Sequence, residues 1–125
     1  MDRLLVAKYA HITALMVLGC LGLFHLMIAP VMFDELSGRL IWYLSTDLGS
    51  LSLIVLNLVI THVPAGQRLP WRLCHVVNAL SAGLGVVNLL AVPEPINIVV
   101  LLTYVTIAAA LAVRDTALFA VPAAS

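Results

Sequence analysis

Four long apolar runs follow one another along the chain, and short polar segments separate them. The runs cover about residues 9–33, 40–63, 73–92 and 96–113. A helix needs roughly 20 mainly apolar residues to cross the hydrocarbon core of a bilayer, and helices satisfy their own backbone groups there. Because the alternation of barrel strands is absent, the pattern predicts an all-α integral membrane protein. We expect a single domain, residues 1–125, with four transmembrane helices.

The segments between the runs carry turn and boundary residues. The first run ends at Asp34 and Glu35, the second at Pro64 to Gly66, and Pro93-Glu94-Pro95 separates the last two. Such short connections predict an up-down-up-down bundle. Small residues in the first and third runs would let helix backbones approach each other; they are Gly19, Gly22, Ala79, Ala82 and Gly83.

Composition supports a membrane location and argues against a nucleic-acid partner. Hydrophobic residues make up 63% of the 125 residues and charged residues only 10%, with a mean hydropathy of +1.15. Soluble domains carry about 25% charged residues, so this chain has too few to cover a water-facing surface. The formal net charge is zero, which gives no electrostatic basis for binding nucleic acid. The expected surroundings are a lipid bilayer.

The positive charges predict an orientation. Five of the six cations lie before the first run, between the second and third, or after the fourth; they are Arg3, Lys8, Arg68, Arg72 and Arg114. Arg39 alone lies on the other side. Cytoplasmic loops are enriched in Lys and Arg. We therefore expect both termini in the cytoplasm, in a membrane of the bacterial inner-membrane type.

Two apolar runs begin with similar residues. KYAH at 8–11 and RLCH at 72–75 each place a histidine three residues after a cation. One interpretation is a duplicated hairpin with parallel repeats. The other is that the cations only set topology, in which case the two histidines still need an explanation.

Three histidines are expected near the cytoplasmic boundary, where they form a candidate cofactor site. His11, His75 and His62 come from three different runs. His11 and His25 are 14 residues apart, which resembles the histidine pairs of diheme b-type cytochromes, but Leu89 and Asn88 occupy the places where a second helix would repeat the pair. The hypothesis is a single b-type haem held by His11 with His75 or His62. A metal bound with Cys74 is an alternative, although no complete ligand set is visible.

A second candidate site lies deeper. His25 is nine residues before Asp34, and Asp47 is eight residues after Arg39, so both lie roughly 12–13 Å inside the apolar zone. Helical phase places Asn57 and Asn78 on inward faces as well. Ionisable groups at such depth are costly and are often functional. The four residues are candidates for a proton, ion or substrate pathway, and a structural clasp between helices is the alternative.

Several functional classes remain open. No Ser-His-Asp order, paired carboxylates or phosphate-binding loop is present, so the sequence gives no ground for an enzyme. The first hypothesis is a binding protein for a cofactor, with haem as the candidate, or a proton relay. The second is a homo-oligomeric transporter or channel for small solutes or ions. The third is an accessory subunit of a larger membrane complex.

Overall fold

Four α-helices make up most of the chain. A computed structural model describes residues 2–33, 36–64 and 67–118. Within them the helices are α1 (Arg3–Met32), α2 (Gly38–Ile60), α3 (Arg68–Ala91) and α4 (Pro95–Leu118). Each is long and apolar enough to span a membrane, which confirms the prediction of an all-α protein with four such helices. The boundary residues Asp34 and Glu35, and Gly66 of the second turn, lie outside the described residues.

Side-chain caps, rather than the apolar runs, mark where α1 and α2 begin, whereas α3 begins at Arg68 without a side-chain cap. The Asp2 side chain accepts a hydrogen bond from the Leu4 backbone N–H at 3.0 Å, so α1 begins six residues before its apolar run. Ser37 caps α2 in the same way at 3.2 Å. Such caps satisfy donors that the first helical turn leaves unpaired. Pro95 opens α4, where its missing N–H costs nothing.

Each helix packs against two others, so that the four helices form a closed ring of contacts. α1 packs against α2 and α4, and α3 packs against α4 and more sparsely against α2. α3 and α4 approach closely at Gly85, where a Cβ atom would lie 3.1 Å from Tyr104 Cδ2 and 3.2 Å from Leu101 Cδ1. Gly83, which the sequence marked as a close-approach residue, has no neighbour within 4 Å of such an atom. Close approach therefore occurs two residues further along α3.

Two apolar clusters fill the interior. One consists of Ala14, Leu15, Leu18, Leu53, Tyr104 and Ile107. The other consists of Ile60, Trp71, Cys74 and Leu111. The outward surface is also apolar, with Met27, Val31 and Leu90 each more than three-quarters exposed. Exposed apolar area on this scale is unfavourable in water and compatible with contact with the lipid of a bilayer.

Candidate functional site: two buried polar sites

A pair of asparagines joins α2 to α3 in the interior. The Asn57 amide donates from Nδ2 to Asn78 Oδ1 at 2.8 Å, and the Asn78 amide donates from Nδ2 to Asn57 Oδ1 at 3.0 Å. Asn57 is fully buried and Asn78 is 1% exposed. Asn57 Nδ2 also donates to the Leu53 carbonyl at 2.9 Å. The reciprocal amide bonds therefore connect α2 and α3, the neighbouring helices that pack most sparsely against each other.

His11 extends this pair to α1 and α4. Its Nε2 lies 3.2 Å from Asn57 Oδ1, and its Nδ1 lies 3.0 Å from Arg114 Nη1. A guanidinium can only donate, so Nδ1 must accept and Nε2 must carry the hydrogen that is donated to Asn57. His11 is therefore neutral in this arrangement, and both of its ring nitrogens are occupied.

Cys74 completes the group, which we call the amide network: His11, Asn57, Cys74, Asn78 and Arg114. The Cys74 Sγ lies 3.8 Å from Asn57 Oδ1 and accepts from Asn78 Nδ2 at 3.9 Å. The network takes residues from all four helices. Among the described residues, every side-chain nitrogen and oxygen that is buried in this network has a hydrogen-bond partner. A fully bonded network of this kind fixes how helices pack.

The residue after Arg114 contacts the second histidine of the repeated sequence pattern. His75 Nε2 lies 2.8 Å from Asp115 Oδ2. The adjacent residues Arg114 and Asp115 of α4 thus bind the histidines of KYAH and RLCH, one each. The two environments differ: His11 is fully buried, whereas the side chains of His75 and Asp115 are 27% and 25% exposed. Arg68 and Arg72 line a small cavity of about 250 Å³ beside Asp115.

The second polar site is an ion pair between α1 and α2. His25 Nδ1 lies 3.3 Å from Asp47 Oδ1. The Tyr43 ring stacks on the His25 ring with centroids 5.1 Å apart. The Asp47 side chain is 6% exposed, whereas that of His25 is 28% exposed. Asp47 Oδ2 is buried and has no hydrogen-bond partner among the described residues, so this carboxylate is only half satisfied.

An apolar layer separates the two polar sites. Ser50 follows Asp47 by one helical turn, and its hydroxyl is 2.8 Å from the Tyr104 hydroxyl. Beyond this bond the interior contains Leu18, Leu53 and Ile107, which are 2%, 3% and 0% exposed. Asn57 comes ten residues after Asp47, about 15 Å along α2. A continuous chain of hydrogen bonds therefore does not connect the His25–Asp47 pair with the amide network in the described residues.

The structure groups the candidate residues differently from the sequence hypotheses. Asn57 and Asn78 were assigned to a pathway with His25 and Asp47, but Asn57 bonds to His11 and Asn78 bonds to Asn57. The three proposed haem ligands have separate partners: His11 lies in the amide network, His75 pairs with Asp115, and His62 lies past the end of α2 beside the Leu58 carbonyl. No group of three or more His, Cys, Asp or Glu residues among those described could hold a metal ion.

Arg114 and Asp115 are site residues that the sequence pattern did not indicate, and Arg114 was interpreted only as a topology signal. All residues from 107 to 113 are apolar, so their pattern does not distinguish one face of α4. In the structure Ile107, Ala110 and Leu111 are buried, and Arg114 follows them at a spacing that places it on the same helix face.

Comparison with known proteins identifies no relative. No protein-family model, curated protein or solved structure matches this chain. Its function must be inferred from its own residues.

Proposed function

We propose that this membrane protein relays protons and that the His25–Asp47 pair is the group that takes up and releases the proton. The observation that supports this most strongly is the half-satisfied carboxylate. Asp47 has one oxygen beside His25 Nδ1, at 3.3 Å, and a second, buried oxygen without a partner in the described residues. A carboxylate in an apolar region is costly unless it is paired or protonated. Uptake of one proton relieves that cost.

The exposure of the two side chains gives the relay a direction. The His25 side chain is 28% exposed and that of Asp47 is 6% exposed, so a proton donor on a neighbouring copy or subunit that covers this edge would reach the imidazole first. The imidazole accepts it at Nε2 while Nδ1–H faces Asp47 Oδ1. Transfer of the Nδ1 proton to the carboxylate leaves a neutral imidazole and a carboxylic acid. One proton is bound in total, and release reverses the same two steps. Imidazole suits this exchange because it titrates near neutral pH.

Asp115 also has a buried oxygen, Oδ1, without a hydrogen-bond partner among the described residues. The charged surroundings of the two His–Asp pairs are therefore what favours His25–Asp47 over His75–Asp115. Asp115 lines the same cavity as Arg68 and Arg72, so two permanent positive charges lie near its carboxylate. Asp47 has only His25 as a charged partner among the described residues. Its charge therefore depends on the protonation of the imidazole, which is the property that a relay requires.

The apolar layer between the two polar sites supports gated transfer rather than an open channel. Among the described residues, the apolar side chains of Leu18, Leu53 and Ile107 fill the interior between Ser50 and Asn57, and no hydrogen bond there would carry a proton from one to the other. In the conformation described, a proton on Asp47 therefore returns to the side it came from. Complete transfer across the membrane requires a second conformation or a partner that opens the layer.

The proposal includes the topology, membrane and oligomeric state in which the relay works. We place it in an up-down-up-down bundle with both termini cytoplasmic, in a bacterial-type inner membrane. Two observations support the antiparallel arrangement of α1 and α2: His25 pairs with Asp47, whereas the earlier His11 pairs with the later Asn57. The exposed edge of His25 would meet lipid in an isolated copy, which favours a homo-oligomer, or a larger complex that contains this chain as a subunit.

Haem binding receives less support from the geometry. An axial ligand needs a free lone pair on a ring nitrogen, and both nitrogens of His11 are occupied. A haem at His11 would have to replace Arg114 or Asn57. Visible spectra of the purified protein, oxidised and reduced, test this second hypothesis. A Soret band that is lost in His11→Ala or His75→Ala would support haem.

Proton flux into liposomes tests the relay. We would reconstitute the protein with a pH-sensitive dye inside the vesicles and impose a membrane potential with a potassium gradient and valinomycin. The wild type is expected to carry protons, and Asp47→Asn is expected to reduce the flux to that of empty vesicles. Asp115→Asn is the matched control, because it removes the carboxylate of the other His–Asp pair and should retain the flux. Unchanged flux in Asp47→Asn would exclude the proposed role.

A further inference from the structure

A long groove runs along the outside of the bundle between α1 and α4. It consists of two adjoining cavities of about 670 and 510 Å³, and both are lined by Val6, Ala10 and Thr106. Along α1 the groove reaches from Arg3 to Val17. Fourteen residues of helix correspond to roughly 21 Å, somewhat more than half of the ~30 Å hydrocarbon core. The groove is therefore long enough to hold much of a fatty acyl chain.

The walls of the groove are apolar. The Thr103 and Thr106 hydroxyls donate to the Val99 and Leu102 carbonyls of their own helix, each at 2.7 Å. Their hydrogen atoms are thus directed to the backbone. Small residues form the floor, namely Ala7, Ala10, Ala14 and Ala110. Such a surface fits a saturated chain and offers little to a polar ligand.

One end of the groove is positively charged. Arg3 lines it, whereas the exposed Lys8 of the same helix lies outside the groove. Among the described residues, neither side chain makes an ion pair. The nearby carboxylate of Asp2 caps α1. An arginine at the end of an apolar groove, at the depth of lipid headgroups, is complementary to a phosphate.

We propose that the groove between α1 and α4 binds one acyl chain of an anionic phospholipid whose phosphate lies at Arg3. A second copy of the chain is a less suitable occupant. In a twofold dimer across this groove, the same surface meets itself. The Arg3 side chains of the two copies would then lie at the same depth and repel each other.

Photo-crosslinking in vesicles tests the proposal. The vesicles would contain phosphatidylcholine with a small fraction of phosphatidylglycerol whose acyl chain carries a diazirine. Mass spectrometry is expected to locate the crosslinks on residues 3–17 and 99–113. Ala10→Phe fills the groove and should remove most of this labelling. Ala79→Phe is the matched control, because Ala79 is exposed on α3 and lies outside the groove.

Two further comparisons complete the test. Thr13→Phe places a ring at the exposed rim of the groove, so it reports on binding even if Ala10→Phe fails to fold. Arg3→Gln should lower labelling by the anionic probe about fivefold, to the level of an otherwise identical phosphatidylcholine probe. Equal labelling of all four helices, or labelling that Ala10→Phe and Thr13→Phe leave unchanged, would overturn the proposal. Protein–protein crosslinks across the groove in place of lipid crosslinks would also overturn it.

Discussion

The amide network and the His25–Asp47 pair are both buried between helices, but they differ in how fully their hydrogen bonds are met. In the amide network Asn57 Oδ1 accepts from His11 and Asn78, and both nitrogens of His11 are bonded. In the pair, one oxygen of Asp47 has no partner in the part of the chain described. A fully bonded network stabilises one arrangement of the helices, whereas a carboxylate oxygen without a partner can bind a proton.

The two sites also differ in their access to the surroundings. His11, Asn57 and Cys74 are 0% exposed, so nothing reaches them without a change in helix packing. His25 has more than a quarter of its side chain exposed. From these differences we infer that the amide network stabilises the fold and that the His25–Asp47 pair exchanges protons. Each variant below should therefore affect one property much more than the other.

Asn57→Leu should have the largest effect on stability. The substitution removes the amide that bonds to both His11 and Asn78 and leaves their polar groups buried without partners. Each unsatisfied group costs about 1–3 kcal/mol, so we expect a loss of at least ~3 kcal/mol. Unfolding in mixed SDS micelles, followed by circular dichroism, measures it. Ser52→Leu is the control, since Ser52 is exposed and bonds only to its own helix; an equal loss there would contradict the assignment.

Arg114→Met should destabilise the protein somewhat less. It leaves His11 Nδ1 without its donor, for an expected cost of about 1–3 kcal/mol, while the aliphatic part of the side chain is retained. The same unfolding measurement applies, with Arg39→Met as the control because Arg39 is exposed. If the two variants unfold alike, the contact between Arg114 and His11 does not contribute to stability.

Gly85→Val tests the close approach of α3 and α4. Tyr104 lies at this approach, and its hydroxyl bonds to that of Ser50. A side chain at Gly85 would collide with Tyr104 and Leu101, and overpacking typically costs about 1–3 kcal/mol. Gly83→Val should cost much less, because a Cβ atom there has no neighbour within 4 Å. The difference between the two unfolding free energies is the test, and a larger loss for Gly83→Val would show that the packing is incorrectly described.

Asp47→Asn should have the smallest effect on stability and the largest on proton exchange. Because the carboxylate is half satisfied and lies in an apolar region, its replacement by a neutral amide should change the unfolding free energy by no more than about 1 kcal/mol. A loss as large as that expected for Asn57→Leu would mean that the pair is a structural clasp. The proposed difference in role between the two sites would then be wrong.

Most of the fold could be predicted from the sequence, but the helix ends could not. Runs of apolar residues are sufficient to predict four helices, since helices are the structures that cross a bilayer. The first turns of α1 and α3 lie outside those runs. Asp2 caps α1, and Arg68 begins α3 five residues before the apolar run, because helix formation outside the hydrocarbon depends on local bonding rather than hydropathy.

The candidate site was harder to predict. Hydrophobic patterning indicates how deep a residue lies in the membrane and which helix face it occupies, but it does not indicate the residue's hydrogen-bond partners. Depth alone was enough to consider His25 and Asp47 together, and they are 3.3 Å apart. Asn57 was grouped with them because it shares their inward face, although it lies about 15 Å further along α2. Arg114 was interpreted only as a topology signal, since a cation at the end of a helix satisfies the positive-inside rule whether or not it turns inward.

Infrared difference spectroscopy tests the central claim most directly. Spectra of the protein in lipid nanodiscs would be recorded while the pH is changed, and the carbonyl band of a protonated carboxylic acid would be followed. We predict that this band appears as the pH falls, is absent in Asp47→Asn and is retained in Asp115→Asn. A band that persists unchanged in Asp47→Asn would show that the buried carboxylate of the His25–Asp47 pair does not bind the proton.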